Sequence, residues 1–110
     1  MPTIKERYLL ARERYFRGHP SEQAEINAID PSVFTGIGLS LEEGREQKRT
    51  EFFARAAKRL GIDAHELVIQ LVASSELEAQ EWRLAHHRDI ADTLGMGWQE
   101  YQRLNGIAEG

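Results

Sequence analysis

Apolar residues recur along this chain every three to four positions, in runs that stop at glycine or proline. Ile4, Tyr8, Ala11 and Tyr15 keep that spacing up to Gly18, and Thr3 with Glu6 three positions later has the form of a capping box. The pattern predicts a helix over about residues 4–17. Leu9, Leu10 and Phe16 widen its apolar side, which calls for two neighbouring helices or a partner. Pro20-Ser21 opens a second, shorter helix with Ala24, Ile26 and Ile29, ending where Asp30-Pro31-Ser32 makes a turn. Residues 33–39 have no clear period and read as a helical turn followed by a connector on the core. Gly36 and Gly38 form an isolated G-x-G, but no strand precedes them, which argues against a phosphate loop.

Ser40 and Glu43 form the next capping box, in front of a long helix to Leu60. Its apolar stripe is Phe53, Ala56, Ala57 and Leu60, and Gly61 supplies a left-handed stop. Arg45, Lys48, Arg49, Arg55, Lys58 and Arg59 make the remaining surface basic and solvated. Asp63 and Glu66 cap the most apolar segment of the chain, in which Leu67, Val68, Ile69, Leu71 and Val72 surround a single polar Gln70. By content this stretch could be a strand, but no second strand candidate exists to pair with it, so it is predicted as a buried helix. Ser75 and Glu78 start another helix with Leu77, Leu84, Ala91 and Leu94 in a seven-residue rhythm, ended by Gly95. Trp98, Tyr101 and Leu104 lie on a last short helix before Asn105-Gly106. The expected fold is all-α: a compact bundle of five or six helices around a central buried helix at about 64–73. One domain spans residues 1–110, with a frayed tail after about 105.

Composition narrows the function by exclusion. A chain of 110 residues suits one core, and its 41% hydrophobic content separates it from disordered sequences. It has no cysteine, which rules out disulfides, thiolate metal sites and a cysteine nucleophile. No apolar leader or membrane-length segment is present, so a cytoplasmic location is expected. The net charge of −4 is unevenly spread: residues 1–20 carry five cations against two carboxylates, and residues 60–110 carry three against nine. Such asymmetry supports partners of either sign, or head-to-tail self-association.

Candidate chemistry is sparse. His86, His87 and Asp89, with His65, are the only metal set to weigh, and one helix cannot aim all three neighbours at a point. No metal, cofactor or catalytic residue is therefore assigned, and the chain is read as a non-enzyme. Ala57-x-x-Leu60-Gly61-Ile62 recurs as Ala91-x-x-Leu94-Gly95-Met96, a helix corner used twice. The second corner offers Gln99, Gln102 and Arg103 to a helix-turn-helix DNA reader, although Glu100 and an acidic half of the chain oppose that use. Trp82, Trp98 and Tyr101, then Phe16, are the residue types that anchor protein interfaces.

Gly38-Leu39-Ser40-Leu41-Glu42-Glu43, the Leu60-Gly61-Ile62-Asp63 corner with Glu66-Leu67, and residues 94–105 resemble a family of small bacterial proteins of uncharacterised function. The resemblance spans most of residues 20–105 and implies a bacterial, cytoplasmic, helical protein, with no catalytic residues to carry over. In size and helix content the chain also resembles small anti-activators that bind quorum-sensing regulators of the LuxR type. That resemblance implies a protein-interaction regulatory module that sequesters a transcriptional regulator. A homodimer with Trp82, Trp98, Tyr101 and Phe16 in its partner-binding surfaces is the expected form. The alternatives are the DNA-binding regulator and, after it, a small enzyme or metal-binding protein.

Overall fold

The structure, a computed structural model, describes residues 3–107. It contains α1 (Ile4–Gly18), α2 (Pro20–Asn27), α3 (Pro31–Thr35), α4 (Leu41–Arg59), α5 (Ala64–Val72), α6 (Glu76–Thr93) and α7 (Trp98–Asn105), and among the described residues there is no strand. The chain is all-α, as its periodicity predicts. The helix beyond the expected five or six is α3, where the sequence reads as a helical turn. Pro31 sits in its first turn, and the Asp30 carboxylate accepts from the Ser32 N–H at 2.9 Å, enough to complete a short helix. Of the tail predicted after residue 105, residues 108–110 lie outside the described residues.

Polar side chains start the helices where the sequence places them. Thr3 Oγ1 accepts from the Glu6 N–H at 3.1 Å, Asp63 from Glu66 at 2.7 Å and Ser75 from Glu78 at 3.1 Å. Ser40 and Glu43 complete a reciprocal box, with both bonds at 3.1 Å. The Asp63 cap accompanies helical geometry in the apolar stretch that could have been a strand. Within α5, Leu67, Val68 and Ile69 are buried, Leu71 and Val72 half-buried and Gln70 exposed.

The ends of α3, α4 and α6 share one device. Leu39 N–H donates to the Phe34 carbonyl at 2.9 Å, Ile62 to Ala57 at 3.1 Å and Met96 to Ala91 at 2.9 Å. Each bond closes over a glycine with positive φ, 82° at Gly38, 75° at Gly61 and 67° at Gly95. This is the Schellman motif, whose apolar contact joins the residue after the glycine to the one five positions earlier. Phe34, Ala57 and Ala91 are accordingly buried, and Leu39, Ile62 and Met96 half-buried. The residue just before each glycine, Ile37, Leu60 or Leu94, stands out into solvent. Leu60 and Leu94 thus leave the buried stripes to which their spacing assigned them.

The chain divides into two compact units, Met1–Ala73 and Ser74–Gly110. In the first, α4 meets α1, α2, α3 and α5, and α1 also meets α2 and α5. Phe53 is fully buried, with the rings of Tyr8 and Tyr15 edge-on to it at 5.4 and 5.9 Å. Ala11, Ile26, Ala56, Ala57, Leu67 and Val68 belong to the same core. Burial of a large apolar side chain contributes about 1.5–3 kcal/mol, so this cluster is the main source of the unit's stability. Arg12, only 9% exposed, pins α1 to α4 by donating to both carboxylate oxygens of Glu46 at 2.9 and 2.7 Å.

In the second unit α6 packs against α7. Ala79, Trp82, Ala91 and Tyr101 are buried, whereas Leu77 is exposed and Leu84 half-buried. The seven-residue rhythm of leucines therefore lies largely outside the buried side of α6. No helix among the described residues is long and apolar enough to cross a membrane.

Candidate functional site

The abrupt passage from α1 to α2 builds the most distinctive polar cluster of the first unit. His19 is both the C-cap of α1 and the residue before Pro20, so the chain turns within one residue. Its imidazole stacks on the Tyr15 ring at 4.2 Å, and Nδ1 lies 2.8 Å from the Tyr15 carbonyl. A carbonyl only accepts, so Nδ1 is the donor in this contact. The Tyr15 hydroxyl donates to Glu22 of α2 and accepts from Arg59 Nη2 of α4 at 3.2 Å. Arg59 also lies 3.7 Å from Glu22 Oε1. Burial, and then the hydrogen bond to Glu22, pushes the phenol above its usual pKa, and the nearby Arg59 only partly offsets this. The cluster therefore holds a neutral tyrosine between an acid and a base.

Beside it runs a groove of about 510 Å³. Ala56 and Leu67 form its floor, Leu60 and Leu71 its apolar walls, and Tyr15, His19, Arg59 and Gln70 its polar rim. Leu60 is 64% exposed although it borders an apolar surface, an arrangement typical of a docking site waiting for a partner. Arg14 marks the Leu71 side, donating to that residue's carbonyl at 2.6 Å at the end of α5. Tyr15 and Glu22 are hydrogen-bonded to each other and Gln70 Nε2 donates to Glu66 at 3.1 Å, which leaves the exposed edge of Arg59 to orient an occupant.

A second groove, about 450 Å³, lies between α1, α2 and α4 and differs in chemistry. Its arginines are already paired, Arg12 and Arg49 with Glu46 and Arg17 with Glu13. The hydrogen bond from Arg12, reinforced by Arg49, holds the Glu46 carboxyl below its usual pKa despite partial desolvation. That groove is bounded by ion pairs that brace the fold.

The aromatic residues expected to meet a partner are mostly inside. Phe16 is buried and lines the second groove, and Trp82 and Tyr101 are buried in the second unit. The Tyr101 hydroxyl meets His87 Nδ1 at 2.9 Å. Trp98 is half-buried, stacked on Tyr101 at 5.8 Å with the Arg88 guanidinium over its ring at 5.1 Å. As folded, only Trp98 of the four presents part of its ring. Gln99 and Arg103 are exposed and Gln102 half-buried, on a unit with few cations. His86 and His87 stand with ring centroids 6.4 Å apart, and no group of three histidine or carboxylate side chains among the described residues is placed to hold a metal.

Sequence reasoning missed the Tyr15, His19, Glu22 and Arg59 cluster because its members come from three helices. It also missed Leu60 as a surface residue. The signal for that was present in Leu60-Gly61-Ile62, since a Schellman corner turns the residue before its glycine outward.

No curated protein and no solved structure matches the chain. A family model does match residues 1–107, and the chain belongs to that family, DUF6388, a family of unknown function.

Proposed function

We propose that this protein is an interaction module that binds a helical segment of a partner protein in the groove between α1, α4 and α5. The observation that carries the proposal is Leu60, held exposed at a rigid helix corner over an apolar floor and beside a fixed cation. Helix-in-groove binding uses apolar anchors for affinity and rim charges for register and on-rate. Leu60, Leu71, Leu67 and Arg59 supply both kinds of contact. In the regulatory form of this role, the partner is a transcription factor whose own interaction helix is occupied, as the resemblance to anti-activators implies. Retention of a cytoplasmic regulator would fit that form.

The test is affinity capture with three proteins: the unaltered chain, Leu60→Asp and Leu104→Asp. Both leucines are exposed, so neither change should disturb helix content measured by circular dichroism. The expected result is a stoichiometric protein partner that survives nuclease treatment, is retained by Leu104→Asp and is lost from Leu60→Asp. A partner held equally by Leu60→Asp, or recovered only through nucleic acid, would overturn the proposal.

A further inference from the structure

We infer that the groove of the first unit is occupied by the exposed face of α6 from a second copy of the chain. This rests on the protein-binding reading of the groove and names its occupant. Two leucines with nearly equal exposure, Leu60 at 64% and Leu77 at 68%, stand in opposite electrostatic surroundings. Leu60 follows Lys58 and Arg59, both exposed, and Arg14 lies toward the Leu71 end of the same groove. Leu77 lies in the first turn of α6 between Glu76, which pairs with Arg83 at 3.5 Å, and Glu78, with Glu81 one turn farther on. One surface is an apolar groove with a cationic rim, and the other an apolar helix face with an acidic collar.

The spacing fits helix-in-groove docking. Leu77, Glu81 and Leu84 occupy positions i, i+4 and i+7, which share one side of a helix over about 10 Å. Leu77 and Leu84 would enter between the Leu60 and Leu71 walls, with Glu81 directed to Arg59. The guanidinium of Arg59 already contacts Tyr15 and Glu22, yet its side chain remains 58% exposed, so an outer edge is open to a second carboxylate. Farther along the same face, Arg88 stands over the Trp98 ring at 5.1 Å and lines one surface recess with Glu81 and Leu84.

Charge balance favours a second copy over a foreign helix. Residues 1–73 hold equal numbers of cations and carboxylates, of which Arg59 lines this groove and Arg14 reaches its Leu71 end, whereas residues 74–110 hold seven carboxylates against three cations. Each copy brings one groove and one α6 face, so two copies that satisfy each other make two equivalent contacts about a two-fold axis and close as a dimer.

Sedimentation of the full chain over a range of protein and salt concentrations tests this. The expected result is a dimer that dissociates more readily at high salt. Leu60→Asp and Leu77→Asp alter exposed side chains and should each give a folded monomer. Arg59→Glu and Glu81→Arg should each weaken dimerisation at least about tenfold, or about 1.4 kcal/mol, and the two together in one chain should restore it. If Arg59→Glu unfolds the chain by disturbing Glu22, Lys58→Glu serves in its place. A chain monomeric at every concentration would overturn the inference, as would a dimer indifferent to both leucine changes or reversals that do not compensate. A monomeric chain that still loses a foreign partner on Leu60→Asp would refute self-pairing alone. A dimer sensitive to both leucine changes, with a foreign partner kept by Leu60→Asp, would instead refute foreign-partner binding at the groove.

Discussion

At the residue scale, the side chains with the most specific surroundings are charged ones, among them Arg49, which sequence patterning assigned to a solvated face. Glu46 accepts from Arg12 and Arg49 together, and the Arg12 bond is the main reason that its carboxyl is held below the ordinary value of 4.5. A carboxylate with a lowered folded pKa adds stability that is complete above its unfolded value and is lost as the pH falls through the folded one. Glu46→Gln should therefore lower unfolding stability near neutral pH and lose that difference as the pH falls below the ordinary value and through the lowered folded one. Because Glu46 is half-exposed while Arg12 is buried, the expected loss is about 1–2 kcal/mol, between an exposed pair and a stranded buried charge. Urea unfolding of both proteins at neutral and acid pH checks this, and a constant difference at both would contradict it. No sequence pattern shows this bond, since Arg12 and Glu46 are 34 positions apart.

At the element scale, starts and stops were legible and the outward or inward facing of their neighbours was not. A capping box is local chemistry, so Thr3, Ser40, Asp63 and Ser75 could be read directly. Helical periodicity also made the buried side of α4 visible through Phe53, Ala56 and Ala57. It failed at Leu60 and Leu94, where the chain leaves helical geometry and the Schellman contact passes to Ile62 and Met96. The candidate groove depends on that failure, because a buried Leu60 could not form its wall. Gly44 is a second case, a glycine within a long helix that composition alone would count as a weakness. An added Cβ would meet the Phe34 ring at 2.2 Å, so the glycine is what lets α3 lie against α4. Gly44→Ala should destabilise by up to about 2 kcal/mol, since overpacking of about 1–3 kcal/mol is set against a helix-propensity gain of about 1 kcal/mol. In a Phe34→Ala background the same change should become neutral or stabilising, and this double-mutant cycle in denaturant checks the contact. Additive effects would mean that the ring does not set the cost.

At the scale of the whole molecule, the two units differ in how much holds them together. Twelve apolar side chains are buried in residues 1–73 and four in residues 74–110, and α7 has only eight residues. Helices shorter than about 12–15 residues are marginal by themselves, so α7 depends on Tyr101 against α6 and on the hydrogen bond between Tyr101 and His87. The all-α class was legible because the long helices carry their own period and caps, whereas this uneven burial comes from long-range packing that no local pattern records. It predicts unequal opening. Amides of Phe53, Ala57 and Ile69 should exchange with solvent only through global unfolding, and those of Tyr101 and Gln102 through a smaller opening. Native-state hydrogen exchange at low denaturant measures both, and equal opening energies would contradict the difference. The same experiment bears on self-pairing, because a contact made only by the folded α6 face stabilises it by mass action. Protection of Glu81 and Leu84 should then rise with protein concentration in the unaltered chain and stay constant in Leu60→Asp, placing the effect of a groove residue on a helix of the other copy.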